Sequence, residues 1–147
     1  MQQNKTASQR KTINPACWVP TAYFAMGLPF IAINLVSVFM FKDLGISDTQ
    51  IAFWTSLIMM PWTLKFLWSP FLEMYRTKKF FVLITELLRV VLFGLVAFSL
   101  LFDYFFAISI STMAVIAFSG ATHDIACDGV YMAELNKEDQ AKYIGVQ

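Results

Sequence analysis

The sequence predicts an all-α integral membrane protein with about four spanning helices and the approach to a fifth. Of its 147 residues, 58% are hydrophobic and 14% are charged, whereas a soluble domain carries about a quarter charged residues. The charges gather in short clusters between apolar runs of about twenty residues, the length that crosses a bilayer as a helix. We therefore expect membrane lipid around the chain, and the net charge of +1 argues against a nucleic-acid partner.

The apolar runs divide the chain into a polar tail and one membrane unit. The tail, residues 1–15, lacks the features of a cleavable signal peptide. The unit, residues 16–147, contains a hydrophilic loop at 134–142, after which the chain turns apolar again at Tyr143. We expect a fifth span to begin there, and hence a fragment of a longer membrane protein. The predicted spans are approximately 16–41, 50–69, 80–102 and 104–127.

The Lys and Arg residues between the spans set the orientation, because cytoplasmic loops carry the excess of positive charge. With the N-terminus in the cytoplasm, eight basic residues lie inside and only Lys42 lies outside. The sequence therefore predicts a multi-pass protein of the cytoplasmic (inner) membrane with a cytoplasmic N-terminus. The eight are Lys5, Arg10, Lys11, Arg76, Lys78, Lys79, Lys137 and Lys142.

The first span places Tyr23, Gly27 and Asn34 near one helical face, with Pro29 between them. Helix interruptions within a membrane are tolerated where neighbouring helices or a cavity satisfy the backbone. This face therefore predicts either the lining of a cavity or a close helix contact beside a proline kink.

Ionisable residues within spans are costly and usually face a protein interior or a watery path. Lys65 of the second span either extends to the cytoplasmic headgroups or turns inward to pair with a carboxylate. Glu86 and Arg89 of the third span are three residues apart and hence neighbours on a helix. They form either a self-neutralised structural pair, or a pair in which Glu86 exchanges protons or Arg89 binds an anionic group.

The fourth span ends in the densest polar cluster, which contains His123, Asp124, Cys127 and Asp128. A histidine titrates near neutral pH, so a proton relay with the two acids is chemically available. The spacing matches no standard zinc pattern, and we expect no metal site. No nucleophile elbow, phosphate loop or dinucleotide glycine pattern is present, so we expect neither an enzyme, with catalytic residues, nor a cofactor.

The junction after the second span resembles the loop motif of the major facilitator superfamily. In that motif an acid follows a helix end and is followed by spaced basic residues. Glu73 stands at the acidic position, and Arg76, Lys78 and Lys79 stand at the basic ones. Ser69 and Thr77 stand near the places of the usual glycines. The resemblance implies that these charged residues form a gating loop.

Three stretches are similar to the branch of that superfamily that contains AmpG-like muropeptide permeases and acetyl-CoA transporters. They are YFAMGLPF at 23–30, PWTLKFLWSPF at 61–71 and ATHDIACDGVYM at 121–132. The last matches a Thr-Gln/His-Asp-Ile-x-x-Asp pattern of the branch. The resemblance implies the N-terminal part of a facilitator helical bundle, completed by the remaining helices of a full-length transporter. The resemblance singles out Lys65, Asp124 and Asp128 as candidate residues for transport and proton coupling.

The resemblance also implies a secondary transporter that imports muropeptide-like cell-wall fragments together with protons. Our hypothesis is that Lys65 pairs with Asp124 or Asp128 and that protonation of the acid loosens this contact. The substrate partner is then a small polar molecule. Alternatives are transport of acetyl-CoA or a sugar, or a membrane scaffold or enzyme that uses the cluster from His123 to Asp128.

Overall fold

The computed structural model describes residues 14–74 and 78–146, whose regular secondary structure is helical. Within these residues three helices are long and apolar enough to cross a membrane: Pro15–Asp43, Lys78–Ser99 and Phe105–Glu134. The all-α class is thus confirmed, and three of the four predicted spans correspond to helices that are long and apolar enough to cross a membrane. The helices are α1 (Pro15–Asp43), α2 (Asp48–Ile58), α3 (Met60–Leu64), α4 (Ser69–Met74), α5 (Lys78–Ser99), α6 (Phe105–Glu134) and α7 (Lys137–Tyr143).

The prediction of one uninterrupted helix over 50–69 is wrong. This segment is divided into α2, α3, a 3-10 turn at Lys65–Leu67 and the start of α4. Pro61 has no N–H for the helical ladder and its ring crowds the preceding turn, and Pro70 lies in the first turn of α4. The helix consequently ends and restarts twice within the predicted span, and Lys65 lies in the 3-10 turn between two of its pieces.

The other predicted boundaries shift by smaller amounts, and one loop is helical. The helix predicted over 104–127 continues to Glu134, and His123, Asp124 and Cys127 of the polar cluster are buried on it. Residues 134–142, predicted to be a loop, include most of α7, which Asn136 caps by accepting a hydrogen bond from the Asp139 amide at 2.7 Å. Beyond α7 the structure has a short 3-10 turn at Ile144–Val146, and Gln147 lies outside the described residues.

Helix α1 is continuous but irregular in its hydrogen bonding. Asn14 caps it by accepting from the Ala16 amide at 3.1 Å, and a π-helical turn occupies Ala32–Val36. Pro29 lies inside the helix and lacks the N–H that would bond the carbonyl four residues earlier, that of Ala25. We call this missing bond the Pro29 gap.

Helix α6 lies at the centre of the fold, because α1, α3, α5 and other pieces of the second span all pack on it. It forms an antiparallel hairpin with α5, in which the hydroxyl oxygens of Ser99 and Ser109 are 2.7 Å apart near the turn. At the opposite end Lys79 pairs with Glu134 at 2.9 Å. The largest apolar cluster, lying towards the hairpin turn, includes the following buried residues: Ile33, Phe41, Ile58, Val96, Met113 and Ile116.

Two glycines let other elements approach α6 closely. A Cβ atom at Gly120 would lie 2.7 Å from Cζ2 of Trp62, and one at Gly129 would lie 2.6 Å from Cδ of Lys78. Small residues favour helix association in membranes for this reason, since close packing replaces the hydrophobic driving force that lipid does not supply. Gly120 therefore fixes the position of the Trp62 indole.

We expect Gly120→Ala to lower thermal stability relative to the same substitution at Gly94, where a Cβ has nothing within 4 Å. The rigid indole of Trp62 has to move, and overpacking of this kind costs ~1–3 kcal/mol, whereas alanine is otherwise favoured over glycine in a helix by ~1 kcal/mol. Gly129→Ala should lie between them, because the Lys78 side chain is flexible. Circular dichroism melts in detergent measure the order, and a Gly120→Ala protein as stable as Gly94→Ala would contradict the contact.

Candidate functional site

The carboxylate of Asp124 is held between α6 and the interrupted second span. Its Oδ2 accepts a hydrogen bond from Nε1 of Trp62 at 3.0 Å and lies 3.8 Å from Nζ of Lys65. The Asp124 side chain is 8% exposed and that of Lys65 is 40% exposed. The structure therefore brings Lys65 and Asp124 together, with Lys65 turned inward.

The second oxygen of this carboxylate has no such partner. Oδ1 of Asp124 is buried and accepts no hydrogen bond from the residues that the structure describes. A buried carboxylate that is only half satisfied is costly, so Asp124 gains from an additional proton or donor. A proton on Oδ1, or a donor that moves close to it, would therefore stabilise the Asp124 side chain.

Asp128 lies one turn further along α6 and contacts α1. Its Oδ1 accepts a hydrogen bond from the hydroxyl of Tyr23 at 3.0 Å. The Tyr23 ring packs edge-on against Tyr131, with centroids 5.9 Å apart, within a small buried cluster that also includes Val19 and Leu135. Asp128 therefore fixes the N-terminal part of α1 on α6.

A cavity of about 420 Å³ opens between the second span and α6. It has charged residues of both signs on its wall, together with the Ser69 hydroxyl and several apolar side chains. Its charged lining residues are Lys65, Glu73 and Asp128.

A second polar cluster lies on the other side of α6, between α6 and α5. His123 is 1% exposed, and its Nδ1 lies 3.0 Å from Oγ1 of Thr85. The Thr85 hydroxyl donates its single hydrogen to the helix, with the Phe81 carbonyl oxygen 2.7 Å away. Its oxygen can therefore only accept from His123, which places the imidazole hydrogen on Nδ1.

The bare Nε2 of His123 faces two further groups. The thiol sulfur of Cys127 is 3.2 Å away and donates to it, and Oε2 of Glu86 is 3.9 Å away. Glu86 is 41% exposed along its side chain and forms an ion pair with Arg89, which is 3% exposed. The predicted neighbours Glu86 and Arg89 thus do contact each other, and they share this site with His123.

Arg89 also reaches across to α1. Its Nη1 donates to the Ala25 carbonyl oxygen at 3.2 Å, which is the carbonyl that Pro29 leaves without its helical partner. A guanidinium has five N–H donors, so Arg89 can hold Glu86 and Ala25 at once. Arg89 therefore satisfies the Pro29 gap from the neighbouring helix.

The remaining predicted site residues lie apart from these two clusters. Asn34 is exposed and donates to the Phe30 carbonyl at 2.9 Å and towards the Met59 sulfur at 3.2 Å, so it faces the second span, whereas Tyr23 faces α6. Gly27 is half-buried.

The predicted gating loop is described at three of its four positions. Lys79 pairs with Glu134, the Lys78 side chain lies over Gly129, and Glu73 lines the cavity. Arg76 lies outside the described residues.

Sequence reasoning missed Trp62, Thr85 and Ala25. The signal for Thr85 was its spacing of four from Arg89, which puts both on one face of α5, and the signal for Trp62 was its place three residues before Lys65. Within residues 14–74 and 78–146, no group of three or more His, Cys, Asp or Glu side chains is arranged to hold a metal ion.

No family model, curated protein or solved structure matches the chain. The described residues form a helical protein in which three helices could span a membrane and charged side chains are paired between helices.

We expect Lys65 and Asp124 to be energetically coupled. A double-mutant cycle with Lys65→Met and Asp124→Asn should give a coupling energy of ~1 kcal/mol or more, between the ranges for exposed and buried pairs. The matched control is Lys42 with Asp48, which are 3.3 Å apart but 62% and 77% exposed, and Lys42→Met with Asp48→Asn should give ~0.5 kcal/mol or less. Thermal unfolding of the four proteins in each cycle measures both coupling energies. Equal coupling energies would show that burial of Asp124 does not strengthen its interaction with Lys65.

Proposed function

We propose that the chain is the N-terminal part of a secondary active transporter of the major facilitator type, which imports a polar solute together with protons. The observation that carries the proposal is the ion pair between Lys65 and the buried Asp124, set between helices of otherwise apolar sequence. Ionisable groups at such a depth are typical of substrate and ion pathways.

The divided second span supports the same proposal. Transporters commonly use interrupted helices where backbone groups and charges line a path. In this chain the interruption places Lys65 in a 3-10 turn beside Asp124 and at the wall of the 420 Å³ cavity. We propose that the pieces α2 to α4 together cross the membrane as the second of four spans.

A gate follows from these contacts. Asp124 joins α6 to the second span, and Asp128 joins α6 to α1. A proton on either carboxylate weakens its contact with Lys65 or with the Tyr23 hydroxyl, because a neutral acid is the poorer acceptor. Protonation thereby loosens the cytoplasmic ends of these helices from one another. Such a two-state contact is what alternating access requires.

We propose a muropeptide-like cell-wall fragment as the substrate, on the similarity of residues 23–30, 61–71 and 121–132 to the AmpG-like branch. The alternative substrates are acetyl-CoA and a sugar. The membrane is the cytoplasmic membrane, and the N-terminus lies inside, since eight basic residues flank that side against one on the other.

We expect Asp124→Asn and Asp128→Asn to abolish uptake driven by a pH gradient, because an amide cannot exchange a proton. Full-length protein in liposomes, with labelled anhydro-muropeptide outside and an inward proton gradient, measures this. Asp103→Asn is the matched control, since Asp103 is exposed in the turn between α5 and α6.

Each result of that experiment has a defined meaning. Intact gradient-driven uptake by both variants would contradict the gate. Uptake of acetyl-CoA or a sugar instead of the muropeptide would contradict the substrate assignment, and absence of transport of all three would contradict the transporter.

A further inference from the structure

The cluster on the α5 side of α6 is separate from the Asp124 contacts, and its hydrogen positions follow from its geometry. Thr85 fixes the His123 hydrogen on Nδ1, so Nε2 presents a lone pair. Oε2 of Glu86 faces that lone pair at 3.9 Å. A carboxylate oxygen and a bare ring nitrogen are both acceptors, so one proton between them would join them by a hydrogen bond that takes the place of the Cys127 S–H on Nε2.

We propose that Glu86 and His123 hold one proton between them, and that Arg89 transmits its presence to α1 at the Pro29 gap. The proposal rests on the proposed function, to which it adds a second proton-binding group and the helix that responds to it. Glu86 is the entry point, because it is half-exposed while His123 is buried.

Proton capture moves Glu86 from one partner to the other. A hydrogen bond between oxygen and nitrogen needs about 2.9 Å, so Oε2 of Glu86 has to approach His123 by about 1 Å. The ion pair with Arg89 at the same time loses its negative charge, so the contact between Glu86 and Arg89 weakens. The proton comes from the aqueous side, and the S–H of Cys127 gives up its place on Nε2.

Arg89 is the link to α1 because it bonds Glu86 and the Ala25 carbonyl together. A buried guanidinium that loses its carboxylate is strongly destabilised, so Arg89 shifts towards its other acceptors, the carbonyls of Thr85 and Ala25. Its bond across the Pro29 gap changes with it, and α1 moves relative to α5 there. The helix carries Tyr23 and therefore the contact with Asp128.

Neighbouring elements place further polar and charged groups around the pair. Thr85 and Arg89 of α5 and Cys127 of α6 contact it directly, whereas Asp124 of α6 and the Ala25 carbonyl of α1 lie near Arg89. Lys65 of the second span contacts Asp124 rather than the pair.

Infrared difference spectroscopy of the full-length protein between neutral and acid pH tests the shared proton without any substrate. We expect a carboxylic-acid C=O band at acid pH that Glu86→Gln removes and that Asp103→Asn and Asp124→Asn leave in place. His123→Asn keeps a donor at the position of Nδ1 but has nothing at Nε2, so it should shift that band to the frequency of a free acid. A spectrum unchanged by Glu86→Gln, or a band unmoved by His123→Asn, would overturn the shared proton.

A distance measurement tests the role of Arg89. Spin labels at the exposed positions Phe24 of α1 and Leu83 of α5, introduced as Phe24→Cys and Leu83→Cys with Cys17→Ser, should change separation between neutral and acid pH. Arg89→Lys keeps the charge but has one nitrogen for two partners, so the pH-dependent change should be lost. Glu86→Gln should show the acid separation at both pH values. A separation that changes with pH equally in all three proteins would overturn the link.

The two proposals fail separately. Absence of gradient-driven uptake with an intact Glu86 band would refute proton-coupled import and leave the proton pair in place. Gradient-driven uptake without the band would refute the proton pair and leave the transporter.

Discussion

Every long helix of the chain depends on α6, because α6 carries the buried polar groups and its neighbours supply their partners. Asp124 takes its partners from the second span, Asp128 from α1 and His123 from α5. Lipid provides little hydrophobic drive for helices to associate, and an unpaired polar group between them is costly. These contacts therefore favour one register of each helix on α6 over shifted ones, which would leave the polar groups unpaired.

Successive residues on a helix are 100° apart, so His123 and Asp124 face different neighbours although they are adjacent in sequence. This separates the polar groups into two clusters with different charge balances. Asp124, Asp128 and Lys65 together carry an excess of one negative charge when ionised. Glu86 and Arg89 balance each other while His123 is neutral. The first cluster therefore attracts a cation or a proton directly, whereas the second is neutral as a unit and responds to a proton by exchanging partners.

The sequence predicted the features that depend on local pattern. The apolar runs located α1, α5 and α6, and the spacing of three predicted the contact of Glu86 with Arg89. The prediction of one uninterrupted helix over 50–69 failed because it followed the hydrophobicity alone, whereas Pro61 and Pro70 each lie in the first turn of a new helix piece, a position that proline tolerates better than a helix interior. The inward turn of Lys65 was one of two alternatives, and the residues alone could not choose between them, since the choice depends on where α6 places Asp124. Trp62 and Thr85 were missed because an indole and a hydroxyl become site residues only through their partners on another helix.

Arg89 illustrates why the two clusters cannot be understood one helix at a time. Within α5 alone, Arg89 neutralises Glu86 and donates from Nε to the Thr85 carbonyl at 3.4 Å. Viewed along α1 alone, Pro29 removes a hydrogen bond and leaves the Ala25 carbonyl without a partner, at a cost comparable to that of a lost hydrogen bond. The contact of Arg89 with Ala25 joins these facts, because the same guanidinium satisfies the carbonyl and neutralises the carboxylate. The Ala25 carbonyl of α1 and the carboxylate of Glu86 are therefore linked through one side chain, and a change at either alters the interactions that Arg89 can offer the other.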